Sequence, residues 1–140
     1  MDVSGLEERT FIIAMIKKDK DLLKKLQLII TLPSVSITTG LTFLVEVIDI
    51  KFFWRPKSLV KWSGMAPRVN QSGYKKRVTG KIYKGGNKHV RLAAYNAAKS
   101  DYAHGKHSGH PIGKFVSHLY DEKKKNYKTS VTAGGAKLLR

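Results

Sequence analysis

The hydrophobic pattern along the chain is helical almost throughout. Phe11, Ile12, Met15 and Ile16, then Leu22, Leu23, Leu26, Ile29 and Ile30, recur at the spacing of an amphipathic helix. Ser4-Gly5-Leu6-Glu7 fits a capping box ahead of them, a serine followed three residues later by a glutamate. The polar run Lys17-Lys18-Asp19-Lys20-Asp21 leaves two readings open: one long exposed helix, or two helices with a break. Pro33 ends this unit, because a residue before proline avoids the helical region. A second helix fits Thr38 to Ile48 through Leu41, Leu44, Val45 and Ile48. Phe52, Phe53 and Trp54 follow as an aromatic cluster, and a short helix fits Ser58 to Ser63, burying Leu59, Val60 and Trp62.

Gly64 to Gly86 reads as irregular, rich in glycine and basic residues; only Val78 to Tyr83 hints at strand alternation. Asn87 is placed to cap a helix that runs to about Tyr102 and carries Ala93, Ala94, Ala97 and Ala98, residues of the highest helix propensity. His104 to Gly113 reads as a loop by composition. Phe115, Val116, Leu119 and Tyr120 mark another amphipathic helix, ending at Lys123-Lys124-Lys125, whose charges suit the negative pole of a helix. Thr129 to Arg140 looks like the start of one more helix, with the chain stopping inside it. There is no internal repeat. The expected fold is mainly α: a helix-hairpin-helix-like helical domain with an irregular basic loop region, preceded by a helical linker.

Composition adds a size and a partner. The chain has 140 residues, the length of one domain, and 41% of them are apolar, too many for a disordered chain. Its 27 basic and 10 acidic residues give a net charge of +17. Such a surplus opposes compaction by self-repulsion, and a polyanion relieves it. Nucleic acid is the first partner to expect and an anionic membrane surface the second. The absence of cysteine excludes disulfides, thiolate zinc sites and cysteine nucleophiles. No apolar run reaches the length of a membrane span, and the N-terminus lacks the order of a signal peptide, so a cytoplasmic protein is expected.

The charge is also unevenly placed. Between Ile50 and Ser100 there is no carboxylate, but there are Lys51, Arg55, Lys57, Lys61, Arg68, Lys75, Lys76, Arg77, Lys81, Lys84, Lys88, Arg91 and Lys99. Solvated faces normally mix signs, so this block reads as a phosphate-binding surface rather than a generally basic one. It also excludes a carboxylate-held magnesium site within the window.

Four places carry candidate chemistry. Lys84-Gly85-Gly86-Asn87-Lys88 precedes a helix start, with Arg91 one turn in; glycines and free amides there suit a phosphate, and so does a plain capped loop. Leu32-Pro33-Ser34-Val35-Ser36 joins two helices where helix-hairpin-helix modules carry a glycine-bearing phosphate nest; Ser34 and Ser36 stand in place of both glycines, and a plain interhelical turn is the alternative. His104, His107 and His110 are spaced for zinc, but no cysteine supports them. Gln71-Ser72-Gly73 lies inside the basic window. A serine is a weak nucleophile unless a base or strong electrostatic help is at hand, and clustered cations supply that help at a phosphodiester. Tyr74, Tyr83 and Trp62 are aromatics able to stack on unpaired bases, Trp62 being better suited to the core.

These residues together resemble a family. Gly64-Met65-Ala66-Pro67-Arg68, then Gln71-Ser72-Gly73, then Lys81-Ile82-Tyr83-Lys84-Gly85-Gly86-Asn87-Lys88-His89-Val90-Arg91 is similar to the C-terminal domain of the IS110/IS116 insertion-sequence transposases, recombinases guided by a bridge RNA. The upstream Leu32–Ser36 turn, the helix through Glu46 and Asp49 to Phe52, and the closing Ala136-Lys137-Leu138-Leu139-Arg140 also fit, so the resemblance covers residues 26–140. It implies a DNA recombinase domain, residues 31–140, in which Ser72 matches the family's catalytic serine and forms a phosphoserine link to DNA. From the basic window, the glycine loop and the interhelical turn, Arg68, Lys75, Lys76, Arg77, Lys81, Lys84, Gly85, Gly86, Asn87, Lys88, Arg91, Ser34 and Ser36 are expected to touch nucleic acid. The family's magnesium belongs to an N-terminal RuvC-like domain, so no cofactor is expected in this chain.

The chain departs from the family pattern at Pro33-Ser34-Val35-Ser36, at the additional glycine of Gly85-Gly86, and at Tyr83, where serine or threonine is common. It is expected to be a fragment that lacks the RuvC-like domain and the last helix, with residues 1–30 a helical linker remnant. Expected partners are DNA, a guide RNA, and further copies of itself or a full-length transposase, with no membrane. A non-catalytic nucleic-acid-binding remnant and a basic RNA-binding protein are the competing readings.

Overall fold

Asp19 decides how the chain begins. Its carboxylate accepts from the amides of Asp21 and Leu22 at 2.9 and 3.3 Å, so it ends one helix and caps the next. The computed structural model describes residues 3–47, 49–72, 75–105 and 109–140, and for residues 3, 4, 69–72, 75–80 and 105 the backbone alone. The two-helix reading holds: α1 is Val3–Lys18 and α2 is Lys20–Ile30. Because α1 is already helical at Val3, Ser4 lies inside it rather than capping it, against the capping-box expectation.

α3 spans Ile37–Glu46, one residue ahead of the expected start; Ile48 lies outside the described residues. Buried Ile16, Leu26 and Leu41, with Ile13, Leu22, Leu23 and Leu44 around them, pack α1 and α2 onto α3. A short 3₁₀ turn, Ile50–Phe52, follows. α4 is Pro56–Trp62, two residues earlier than expected, because Pro56 is preorganised for a first helical turn.

The stretch read as irregular contains an antiparallel hairpin, β1 (Pro67–Ser72) and β2 (Lys75–Ile82). The two strands pair chiefly with each other. Basic and polar residues fill most of both strands, so the period-two apolar signal is faint.

α5 (Lys88–Gly105) is the spine of the molecule, packed by α3, α6 (Pro111–Ser117) and α7 (Tyr127–Leu138). Its alanines let these neighbours come close: Ala94 lies in one buried cluster with Leu59, Val60, Met65, Val90, Ala136 and Leu139, and Ala98 in another with Val116 and Val131. The loop expected over His104–Gly113 is shorter than its composition suggested. α5 continues to Gly105 and α6 already starts at Pro111, while residues 106–108 lie outside the described ones. Past α6 the chain makes a π-helical turn, His118–Glu122. α7 begins at Tyr127, capped by Asn126, whose side chain accepts from the Lys128 amide. The architecture is mainly α, as the periodicity indicated, and no helix among the described residues is long and apolar enough to cross a membrane.

Candidate nucleic-acid interface

Two of the sequence motifs meet at one joint, the C-terminus of α4. Gly64 there has φ 74°, a conformation glycine adopts without strain. It lets the Gly64 and Met65 amides donate back to the Lys61 and Val60 carbonyls at 3.0 and 3.1 Å, a Schellman ending. The next two carbonyls are answered from the second motif. The Asn87 amide donates to Trp62 at 3.0 Å, and the Arg91 guanidinium donates to Ser63 at 3.1 Å. The same Arg91 nitrogen also donates to the Lys84 carbonyl at 3.1 Å. Gly86 is pressed into this joint so closely that a Cβ would lie 2.1 Å from the Trp62 carbonyl oxygen.

Asn87 does three things there. Its side-chain oxygen accepts from the His89 and Val90 amides at 3.0 Å, capping α5 as expected. Its amide group donates to the Glu46 carboxylate at 2.6 Å, tying α5 to the end of α3. Thus Gly86, Asn87 and Arg91, singled out for phosphate, have bonding roles inside the chain, whereas Lys84, Gly85 and Lys88 are exposed around the joint.

The α2–α3 turn is also internally engaged. Ser34 has φ 61°, and its hydroxyl donates to Asp101 at 2.8 Å. Ser36 caps α3, its hydroxyl oxygen accepting from the Thr39 amide at 3.2 Å. Asp101 is only 2% exposed and accepts further bonds from the Gly113 amide at 2.6 Å and from His110 Nδ1 at 2.8 Å. His110 is thereby drawn to Asp101, and His104 sits against Ser100; His107 lies outside the described residues. Among the described residues, no group of three or more histidines and carboxylates is arranged to hold a metal ion.

An open cleft of about 1560 Å³ lies between the base of the hairpin and α7. Lys57 comes from α4, Arg68, Lys81 and Lys84 from the hairpin base and the loop after it, and Lys128, Lys137 and Arg140 from α7 and the residues after it. None of the residues described as lining it is a carboxylate or a histidine. Met65, Ala66, Ile82, Tyr95, Phe115 and Ala136 make its apolar floor. Burial, with the neighbouring Tyr127, raises the Tyr95 phenol above its ordinary pKa, so it stays protonated at neutral pH and can donate to an anion. Arg68 lies over the Tyr83 ring, its guanidinium carbon 5.8 Å from the ring centre. The sequence window missed the α7 wall, whose cations lie beyond Ser100; the closing Ala136–Arg140 string was noted only for its family pattern.

Ser72 is the last residue of β1, paired with Lys75 across the ladder; Gln71 pairs with Lys76 and Asn70 with Arg77. The side chains of Ser72, Lys75, Lys76 and Arg77 lie outside the described ones, as does Tyr74 entirely. Ser72 lies five residue steps beyond Pro67 at the cleft, about 17 Å of extended strand.

Hairpin, joint and cleft belong to a small, strongly basic, mainly helical chain. The sequence model of the Transposase IS116/IS110/IS902 family matches residues 26–110, more than half of the chain. The chain belongs to this family, and its function is transposition-related. No curated protein matches it.

Proposed function

We propose that the chain is a DNA-binding domain of a transposase, in which Ser72 is the nucleophile and the cleft holds the strand it attacks. One observation carries this reading: seven cations from three separate parts of the chain line a single cleft with no described carboxylate among them. Lys57, Arg68, Lys81 and Lys84 face Lys128, Lys137 and Arg140, with Lys88 beside them at the start of α5. Phosphates along a nucleic-acid backbone neutralise such a surface and release counterions as they bind. Lys75, Lys76 and Arg77 continue the positive charge along the hairpin toward Ser72.

In the proposed step the Ser72 oxygen attacks phosphorus. The new O–P bond forms as the bond from phosphorus to the sugar oxygen breaks. The hydroxyl proton passes to a base, and the departing oxygen takes up a proton. Cations around the phosphoryl group stabilise the charge that builds on it. The magnesium of the family belongs to a RuvC-like domain, and no step here runs through it, since the described residues offer it no ligand group. Assembly with a full-length transposase would bring that domain to the hairpin, and a guide RNA would share the same phosphate-binding surface.

A second reading, nucleic-acid binding without catalysis, is favoured by the cleft's lack of any described histidine or carboxylate to act as base. Covalent trapping separates the two. Labelled DNA, the 140-residue chain and a RuvC-like domain supplied in trans with its guide should give an adduct on a denaturing gel. Ser72→Ala should abolish it and leave binding nearly unchanged, and the chain by itself should bind without forming it. An adduct that survives Ser72→Ala defeats the nucleophile assignment; no adduct under any complementation leaves the binding reading.

A further inference from the structure

The segment joining α3 to α4 exposes aromatic rings in a way the core does not explain. Asp49 caps its turn, accepting from the Lys51 amide at 2.9 Å. Phe53 then points inward, its ring 5.3 Å from Trp62 at an edge-to-face angle of 61°. Its neighbours on either side stand outward: Phe52 is 81% exposed and Trp54 is 73% exposed. The Arg55 guanidinium lies flat against Trp54, 3.7 Å from its ring centre. Lys51, Lys57 and Lys61 are exposed nearby, and the Asp49 carboxylate is engaged in its cap.

We infer that Phe52, Trp54 and Arg55 form a second binding site, a stacking platform for unpaired bases of single-stranded nucleic acid. The backbone that carries the two outward rings is anchored by the Asp49 cap and by Phe53 against Trp62, and Arg55 lies against Trp54. The rings alone would suit any apolar partner. The surrounding cations select a polyanion that also presents flat π-faces, and unpaired bases on a phosphate backbone are that ligand. Bases inside a duplex have their faces already covered, so the platform discriminates single strands from duplex. It adjoins the cleft, because Lys57 lines the cleft three residues after Trp54. It does not depend on Ser72 or on the cleft holding duplex, and a single strand leaving the cleft past Lys57 would meet Trp54 first.

The chain has two tryptophans, so Trp62→Phe leaves Trp54 as its sole emitter. Oligothymidylate and oligouridylate should each quench its fluorescence saturably, and duplex DNA of the same length should not. Phe52→Ala with Trp54→Ala should weaken single-strand affinity about tenfold or more, while Trp54→Phe keeps most of it because a ring remains. Duplex affinity should change less than twofold in the same variants, which reports on the cleft separately. If Trp62→Phe fails to fold, the difference in emission between the natural chain and Trp54→Phe gives the same readout. No quenching by either oligonucleotide, an equal loss of duplex binding, or a blue shift given only by vesicles of anionic lipid would each overturn the proposal.

Discussion

Ser34 holds two opposed energies in one residue. A non-glycine residue at φ 61° costs about 1 kcal/mol or more in backbone strain. Its hydroxyl bond to the buried Asp101 is worth about 1.5–3 kcal/mol, because the acceptor carries charge and has been taken out of water. The bond wins, and the strain remains. Ser34→Ala loses the bond and keeps the strain, so it should destabilise by about 2 kcal/mol in urea unfolding. Ser34→Gly loses the same bond but relieves the strain, and should cost about 1 kcal/mol less than alanine does. The reverse order would mean that the backbone at φ 61° carries no such strain, and a Ser34→Ala chain as stable as the natural one would mean that Asp101 does not hold this turn. The turn was visible in the sequence as a proline between two helical patterns. Its partner was not: Asp101 lies 67 residues away, and no local periodicity points to it.

At the scale of elements, the helices were legible and the connections between them were not. Apolar spacing marks α1, α2 and α3, and an asparagine cap with alanine propensity marks α5. The hairpin carries little apolar alternation, and only the start of α6 hid behind a histidine- and glycine-rich approach, since Phe115 and Val116 mark its body. The Gly85-Gly86 motif is visible but reads equally as a phosphate loop and as a plain capped loop, because glycine at a helix start serves close approach by a phosphate and by protein backbone equally well. Here the close approach is to the α4 carbonyls. Two outcomes follow from that. Arg91→Ala leaves the Ser63 and Lys84 carbonyls without their charged donor and should cost about 2–3 kcal/mol. Arg91→Lys should recover little, since a single ammonium does not reproduce the planar guanidinium. Gly86→Ala should be worse, about 3 kcal/mol or more, because its Cβ would meet main chain that cannot rotate away. Calorimetric melting of the three variants tests the order. A Gly86→Ala chain as stable as the natural one would show that the joint is looser than its distances.

Over the whole molecule, the few carboxylates serve the fold more than they neutralise cations. Asp19 and Asp49 cap turns of helix, Glu46 accepts from Asn87, Asp101 is buried under Ser34 and His110, and Asp121 accepts from Tyr102 and Ser117. Asp21 is an exception: it pairs with Lys25 at 3.0 Å and raises that ammonium's pKa, far from the cleft. Lys57, Arg68, Lys81 and Lys84 face Lys128, Lys137 and Arg140 with no carboxylate among the described residues that line the cleft. If the strand lies in this cleft, both walls must contribute. Four to six of these cations reaching phosphates would give a slope of about −4 to −5 for log affinity of duplex against log salt. Lys81→Ala with Lys84→Ala on the hairpin side should lower affinity for all sequences alike and reduce the slope by about 2. Lys128→Ala with Lys137→Ala should do the same, although α7 lies outside the basic block of the sequence. Charge-only binding to residues 50–100 predicts a loss from the first pair and none from the second. Fluorescence anisotropy of labelled duplex at several salt concentrations decides between them: an unchanged slope in the α7 pair would remove that wall from the interface and with it the cleft as the seat of the strand.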